Sequence, residues 1–145
     1  MKNGTGEHFN NNNNGSLYKG EFLNDMYHGR GEMIWADGSR YKGYWAKNLR
    51  HGKGKFIWNN GEIYVGEYRD DKKNGHGKYW YFDQSIYTGD WMNDLRDGFG
   101  EFNWVSGSKY KGGYKDDMKH GYGEYVFFNG EAVIGLWENN ELVNG

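Results

Sequence analysis

A 23-residue period governs this chain. Tyr18, Tyr41, Tyr64, Tyr87 and Tyr110 each open a Tyr-x-Gly-x-aromatic run, and Val133 opens a sixth at the same spacing. Counting the opening residue as zero, Gly recurs at +2, +11 and +13, an aromatic at +4, and a large apolar or aromatic residue at +15 and +17. Gly also recurs at +20, except where Gln84 stands in the third unit. Five consecutive full units without insertion or deletion require each unit to stack on its neighbours in one fixed geometry, burying together what one unit cannot bury alone.

Within a unit the alternation has period two, the signature of strands. In the second unit Tyr41, Gly43 and Trp45 share one face while Lys42 and Tyr44 take the other; further on, Gly54, Phe56 and Trp58 oppose Lys53, Lys55 and Ile57. One face is therefore an aromatic stripe and the other is mostly charged or polar. Triplets such as Ala36-Asp37-Gly38 and Asn59-Asn60-Gly61 suit a three-residue hairpin loop with glycine in the left-handed position. Asp83-Gln84 departs from that pattern and predicts a locally different turn. The connection inside each unit, Asn24 to His28 in the first, predicts a longer loop ending in His-Gly, Asn-Gly or Asp-Gly. Each unit is then a hairpin, and the array holds about eleven strands.

The chain has 25 Gly, 7 Trp, 13 Tyr and 8 Phe in 145 residues, with no Cys and no Pro. Rings supply the apolar area, and glycines on the same face make room for them. Lacking Cys, the chain holds no disulfide framework and no Cys-ligated metal. No stretch approaches the ~18 apolar residues of a membrane span. Its N-terminus shows neither a secretory apolar core nor an Arg-rich amphipathic leader, so cytoplasmic residence is expected. Residues 1–15, rich in Asn and Gly and including the tract Asn10 to Asn14, are expected to form a disordered tail; the array runs over residues 16–145.

The Tyr-x-Gly-x-Trp/Phe/Tyr runs are followed by His28-Gly29-Arg30-Gly31, His51-Gly52-Lys53-Gly54 and His120-Gly121-Tyr122-Gly123, with Asn74-Gly75 and Asp97-Gly98 substituting in two units. This pattern resembles the MORN (membrane occupation and recognition nexus) repeat from residue 15 to about residue 142. The resemblance implies an all-β fold: an elongated, twisted, single-layer antiparallel sheet of consecutive 23-residue hairpins. It also implies a noncatalytic role in cytoskeletal, ciliary, membrane-junction or signalling assemblies of eukaryotic cells. A competing similarity, of Tyr79-Trp80-Tyr81-Phe82-Asp83 with Tyr87-Thr88-Gly89-Asp90-Trp91 to bacterial choline-binding repeats, is confined to one repeat.

No catalytic constellation, cofactor fingerprint or metal cluster emerges. His28, His51 and His120 recur at one repeat position, but Asn74 and Asp97 replace them elsewhere, which predicts a turn role in left-handed backbone. Asp70-Asp71 and Asp116-Asp117 fall in predicted turns and read as solvated turn residues. The site expectations are two. Tyr41, Trp45, Trp58, Tyr64, Tyr81, Tyr87, Trp91, Trp104 and Tyr110 are expected to line a groove for a helical or extended partner segment. Arg40, Lys42, Lys47, Arg50, Lys53 and Lys55 form a basic run without an acidic residue, suited to anionic lipid or an acidic partner. The acidic stretch Asp83 to Glu101 offsets it, so membrane contact is expected to be weak at most.

The functional expectation is a protein-interaction scaffold; a phospholipid-binding tether or an accessory subunit of an enzyme complex are its alternatives. No cofactor and no nucleic-acid partner is expected. Open sheet edges favour a homodimer or end-to-end contact.

Overall fold

The computed structural model describes residues 1–10 and 15–145. All thirteen strands among them belong to one open antiparallel sheet in strict chain order, with no helix among the described residues. Two compact units divide the chain, residues 1–72 and 73–145. The first holds β1 (Gly4–Asn10), β2 (Ser16–Leu23), β3 (Met26–Ile34), β4 (Arg40–Ala46), β5 (Leu49–Ile57) and β6 (Ile63–Arg69). The second is built from β7 (Lys72–Trp80), β8 (Ile86–Met92), β9 (Leu95–Asn103), β10 (Lys109–Lys115), β11 (Met118–Val126), β12 (Ala132–Glu138) and β13 (Glu141–Asn144). The expected all-β array of hairpin repeats is what the chain forms.

Glycines pair with glycines across the sheet. Gly20 faces Gly31, which faces Gly43, which faces Gly54 and then Gly66. In the second unit the row runs Gly77, Gly89, Gly100, Gly112, Gly123 and Gly135. The opening tyrosine of each repeat lies flat across this row, fully buried, and donates its hydroxyl to the carbonyl three residues on: Tyr41 to Tyr44 at 2.9 Å, Tyr87 to Asp90 at 2.8 Å. A β-carbon on Gly54 or Gly100 would fall inside the ring of Tyr41 or Tyr87, so glycine is required there by contact.

The turns differ from expectation in three respects. The connection inside each repeat is not a longer loop but a two-residue hairpin, Asn24-Asp25, Lys47-Asn48, Asp70-Asp71, Asn93-Asp94 and Asp116-Asp117, with both residues at positive φ, the geometry that follows strand twist. The His-Gly pairs lie inside strands instead. There the ladder slips between Gly20 and Phe22, so that His28, Gly29 and Arg30 bulge opposite Glu21, and the positive φ belongs to Gly29, Gly52, Gly75, Gly98 and Gly121 rather than to the residue before each. Between repeats the expected three-residue loop is present with Gly38, Gly61, Gly107 and Gly130 at φ of 91 to 98°. The loop at Gln84 keeps that same geometry, with φ 75° and the bonds Tyr81 N to Ser85 O at 2.9 Å and Gln84 N to Tyr81 O at 3.0 Å. No local variant relieves it.

The disordered tail is corrected for Gly4–Asn10, which form β1 against β2 in the register His8 opposite Tyr18. Low apolar content excludes a packed core, but an edge strand offers a row of unpaired backbone groups, and pairing with it needs no apolar side chain. Of the Asn tract, Asn10 ends β1 and Asn11 to Asn14 lie outside the described residues. β1 and β13 are the two strands beyond the eleven expected.

Candidate ring groove and its cation row

The aromatic face has two levels. Its floor consists of the opening tyrosines, the +4 rings Phe22, Trp45, Tyr68, Trp91, Tyr114 and Trp137, and the +15 residues Met33, Phe56, Tyr79 and Phe102, all buried. Trp45 Nε1 donates to Gly31 O at 3.0 Å and Trp91 Nε1 to Gly77 O at 3.1 Å, so these indoles fasten one repeat to the last. Above the floor stands the +17 row: Trp35, Trp58, Tyr81 and Trp104 are half-buried and Phe127 is exposed. Each leans on a +15 ring, Trp58 on Phe56 at 4.3 Å, Tyr81 on Tyr79 at 4.4 Å and Trp104 on Phe102 at 4.4 Å between centroids.

This division revises the expected groove. Tyr41, Trp45, Tyr64, Tyr87, Trp91 and Tyr110 are core, closed to a partner by their own neighbours. Only Trp58, Tyr81 and Trp104 of the nine remain at the surface, with Trp35 and Phe127 joining them. In the first unit Trp35 and Trp58 border a depression of about 560 Å³ whose other walls include Asp37, Ser39, Arg50 and Phe56.

Arg50 belongs to a feature that the sequence reading missed. At +9 the repeats carry Tyr27, Arg50, Lys73, Arg96 and Lys119, and the last four sit over aromatic rings of the floor. The Arg50 guanidinium lies 5.1 Å from the Phe56 and Tyr68 centroids, and Arg96 5.4 Å from Phe102 and Tyr114. Each is clamped by the second turn residue, at +7, of the following repeat. Asp71 Oδ1 accepts from Arg50 N at 2.8 Å and from Nε at 3.0 Å, while the Asp71 carbonyl accepts from Nη2 at 2.9 Å. Asp117 treats Arg96 identically at 2.8, 3.2 and 2.9 Å, and Asp94 lies 3.5 Å from Lys73 Nζ. Asp71 and Asp117 are therefore structural partners, not merely solvated turn residues. A cation at +9 and Asp or Asn at +7 were visible in the register, but only pairing across repeats makes them meet.

The basic run likewise separates. Arg50 is on the aromatic face and engaged with Asp71, and Lys47 occupies a turn. Lys42 and Lys55 face each other across β4 and β5 on the reverse face, with Lys42 also opposite Glu32 and Lys53 opposite Glu67. Arg40 is exposed beside Ile34 and Ile57. A second depression, of about 400 Å³, lies on that face between Lys19, Arg30, Glu32, Lys42 and Tyr44. Exposed apolar residues Met92, Phe99, Tyr122, Ile134 and Leu136 interrupt the polar face in the second unit. His28, His51 and His120 are exposed, and no three His, Asp or Glu side chains converge among the described residues.

Burial sets the electrostatics of the floor. Tyr18 and Tyr110 are pushed up to about 12 chiefly by desolvation, and Tyr41, Tyr87 and Tyr114 higher still for the same reason. Lys119 is lowered, first by burial and then by the nearby Arg96 charge.

The MORN repeat model matches residues 18–40, 41–63, 64–86, 87–109 and 110–132, the register of the hairpins. The chain belongs to the MORN-repeat family. Its match includes the repeat that resembled a choline-binding unit, which disposes of that alternative. Comparison with curated proteins finds no match. Among solved structures the chain is similar to the TCP10 domain of Danio rerio CPAP, solved in complex with a peptide of Danio rerio STIL, at 14% identity and a TM-score of 0.52; the likeness covers 86% of this chain and 56% of that one. The SAS-4 (dCPAP) TCP domain of Drosophila melanogaster, in complex with a proline-rich motif of Ana2 (dSTIL), matches at 14% identity over 92% and 90% of the two chains, with a TM-score of 0.36. At such identities the first likeness is one of fold, and the second is too loose to carry weight.

Proposed function

We propose that this MORN array is a noncatalytic protein-binding scaffold that receives a segment of a partner protein on the exposed ring row of its aromatic face, within a cytoskeletal, ciliary or other large cytoplasmic assembly. The observation that carries the reading is the +17 row itself. Trp35 and Trp58 in the first unit, and Tyr81, Trp104 and Phe127 in the second, stand above a buried floor with no second layer over them among the described residues, and large rings of this kind dominate binding hot spots. A fold-level neighbour solved with a peptide of another protein supports it. The outer edges of β1 and β13 offer further contacts of the strand-pairing kind.

Quantitative capture from the native cell tests the proposal. The wild-type array should retain a partner that Trp58→Ala and Trp104→Ala each retain at least tenfold less, while the reverse-face variant Lys42→Glu/Lys55→Glu keeps it. Equal capture by all variants would move recognition off the ring row.

A further inference from the structure

The cation row is neutralised repeat by repeat until its last member. Arg50, Lys73 and Arg96 each have an aspartate at +7 of the following repeat, Asp71, Asp94 and Asp117. At the equivalent place beside Lys119 the chain has Asn140. Asn140 preserves the backbone half of the clamp: its Oδ1 accepts from Lys119 N at 2.9 Å, and its N–H donates to Lys119 O at 3.2 Å. It supplies no charge. Lys73 provides the like-for-like comparison, since the same ammonium there has a carboxylate 3.5 Å away.

Four rings surround Lys119. Its Nζ lies 5.3 Å from the Trp104 ring centroid, 5.6 Å from Tyr125 and 5.7 Å from Tyr110 and Trp137. Ring faces attract the cation but accept none of its three N–H donors as a carboxylate does. Among the described residues no carboxylate pairs with it, and the adjacent Arg96 is already committed to Asp117. A half-buried ammonium with no carboxylate paired to it among the described residues, beside the surface ring Trp104, is chemically suited to an ion pair with a carboxylate from another chain.

We propose that Lys119 is the charge anchor of the groove, pairing with an Asp or Glu side chain of an extended partner segment that lies on Trp104 and Phe127. The inference rests on the groove reading above and adds the partner's chemistry and register: one acidic residue beside the apolar residues that cover the rings. Lys119 is also held below the ordinary lysine range by burial and Arg96, a cost that an incoming carboxylate would relieve.

A phage-displayed library of random dodecapeptides, selected on the full chain, separates the inference from the reading beneath it. Wild type should enrich peptides with apolar or aromatic residues and, at one fixed spacing from them, Asp or Glu at least tenfold over Asn or Gln. Lys119→Met should keep the apolar selection and lose the acidic one. Asn140→Asp, which supplies the missing carboxylate within the chain, should lose it too while its thermal midpoint rises; this arm stands should Lys119→Met fail to fold. Apolar selection without acidic preference in wild type, or acidic preference surviving in both variants, overturns the anchor and leaves the groove intact. Enrichment of no peptide removes the groove and the anchor together.

Discussion

Gln84 occupies a backbone position that four other inter-repeat turns give to glycine, and it does so at φ 75° with the turn's hydrogen bonds intact. A side chain in the left-handed region costs about 1–2 kcal/mol. Gln84→Gly is therefore expected to stabilise the array by about 1 kcal/mol, read as a rise of roughly 2–4 °C in the thermal midpoint; no rise would mean that Gln84 makes a compensating contact. The tyrosines make a second prediction. Tyr18 and Tyr110 titrate near 12 in the fold because burial disfavours the phenolate, whereas unfolded tyrosines titrate near 10. A raised folded pKa contributes stability that is complete below the unfolded value and is lost as pH climbs through the folded one. Denaturant midpoints should hold up to pH about 10 and fall steeply from there toward 12, in step with phenolate absorbance; a flat profile would show that these phenols are not desolvated. That Tyr18 and Tyr41 share a face with glycines was legible from the period-two alternation, but that the ring of Tyr41 closes over Gly54 and is core was not. Nor was the αL strain at Gln84, because a turn held by hydrogen bonds on both sides tolerates a residue that its own propensity disfavours.

Between elements, the clamp from +7 to +9 is the recurring join. Arg96 and Asp117 satisfy one another through one backbone–backbone hydrogen bond and three that involve a side chain, across β9 and the β10–β11 turn. The Arg96 side chain is about a fifth exposed and Asp117 about two-fifths, so solvent screens the charge term and the hydrogen bonds carry most of the value. Asp117→Ala is expected to cost about 2 kcal/mol and to speed hydrogen exchange at the Arg96 amide; Asp117→Asn, which keeps the acceptor as Asn140 does for Lys119, should cost less than half of that. Equal losses would assign the join to charge alone. Strand alternation was readable from period two, and the inter-repeat loop from its glycine. The loop inside the repeat was misplaced because His28-Gly29 and its equivalents look like turn chemistry, yet positive φ is equally what a bulge within a strand demands. Pairing across a repeat, as between Arg50 and Asp71, joins residues 21 apart and leaves no local trace.

For the whole molecule, the period alone specified the sheet, since identical hairpins can bury their rings only on one another. It did not separate floor from row. Tyr41, Trp45 and Trp58 share one face by parity, and only the glycine gap beneath Tyr41, the Gly31 carbonyl beneath Trp45 and the neighbouring Phe56 decide which ring closes over and which stands clear. The basic run divides for a similar reason: Arg50 is turned to the aromatic face and held by Asp71, while Lys42 and Lys53 stand opposite Glu32 and Glu67, so carboxylates offset cations each worth ~1 kcal/mol near anionic lipid and weak membrane contact is expected. Flotation with phosphoinositide vesicles at physiological salt should leave the protein in solution, and retention lost in Lys53→Glu/Lys55→Glu would prove otherwise. The two levels of rings are represented most directly by Trp58 in the row and Trp91 in the floor. Affinity for the captured partner and thermal midpoint should be measured on Trp58→Ala and Trp91→Ala together. Trp58→Ala is predicted to weaken binding at least tenfold while the midpoint falls by only a few degrees, and Trp91→Ala to lose about 3 kcal/mol or more of stability. Binding lost by both variants only in proportion to folding would contradict the account.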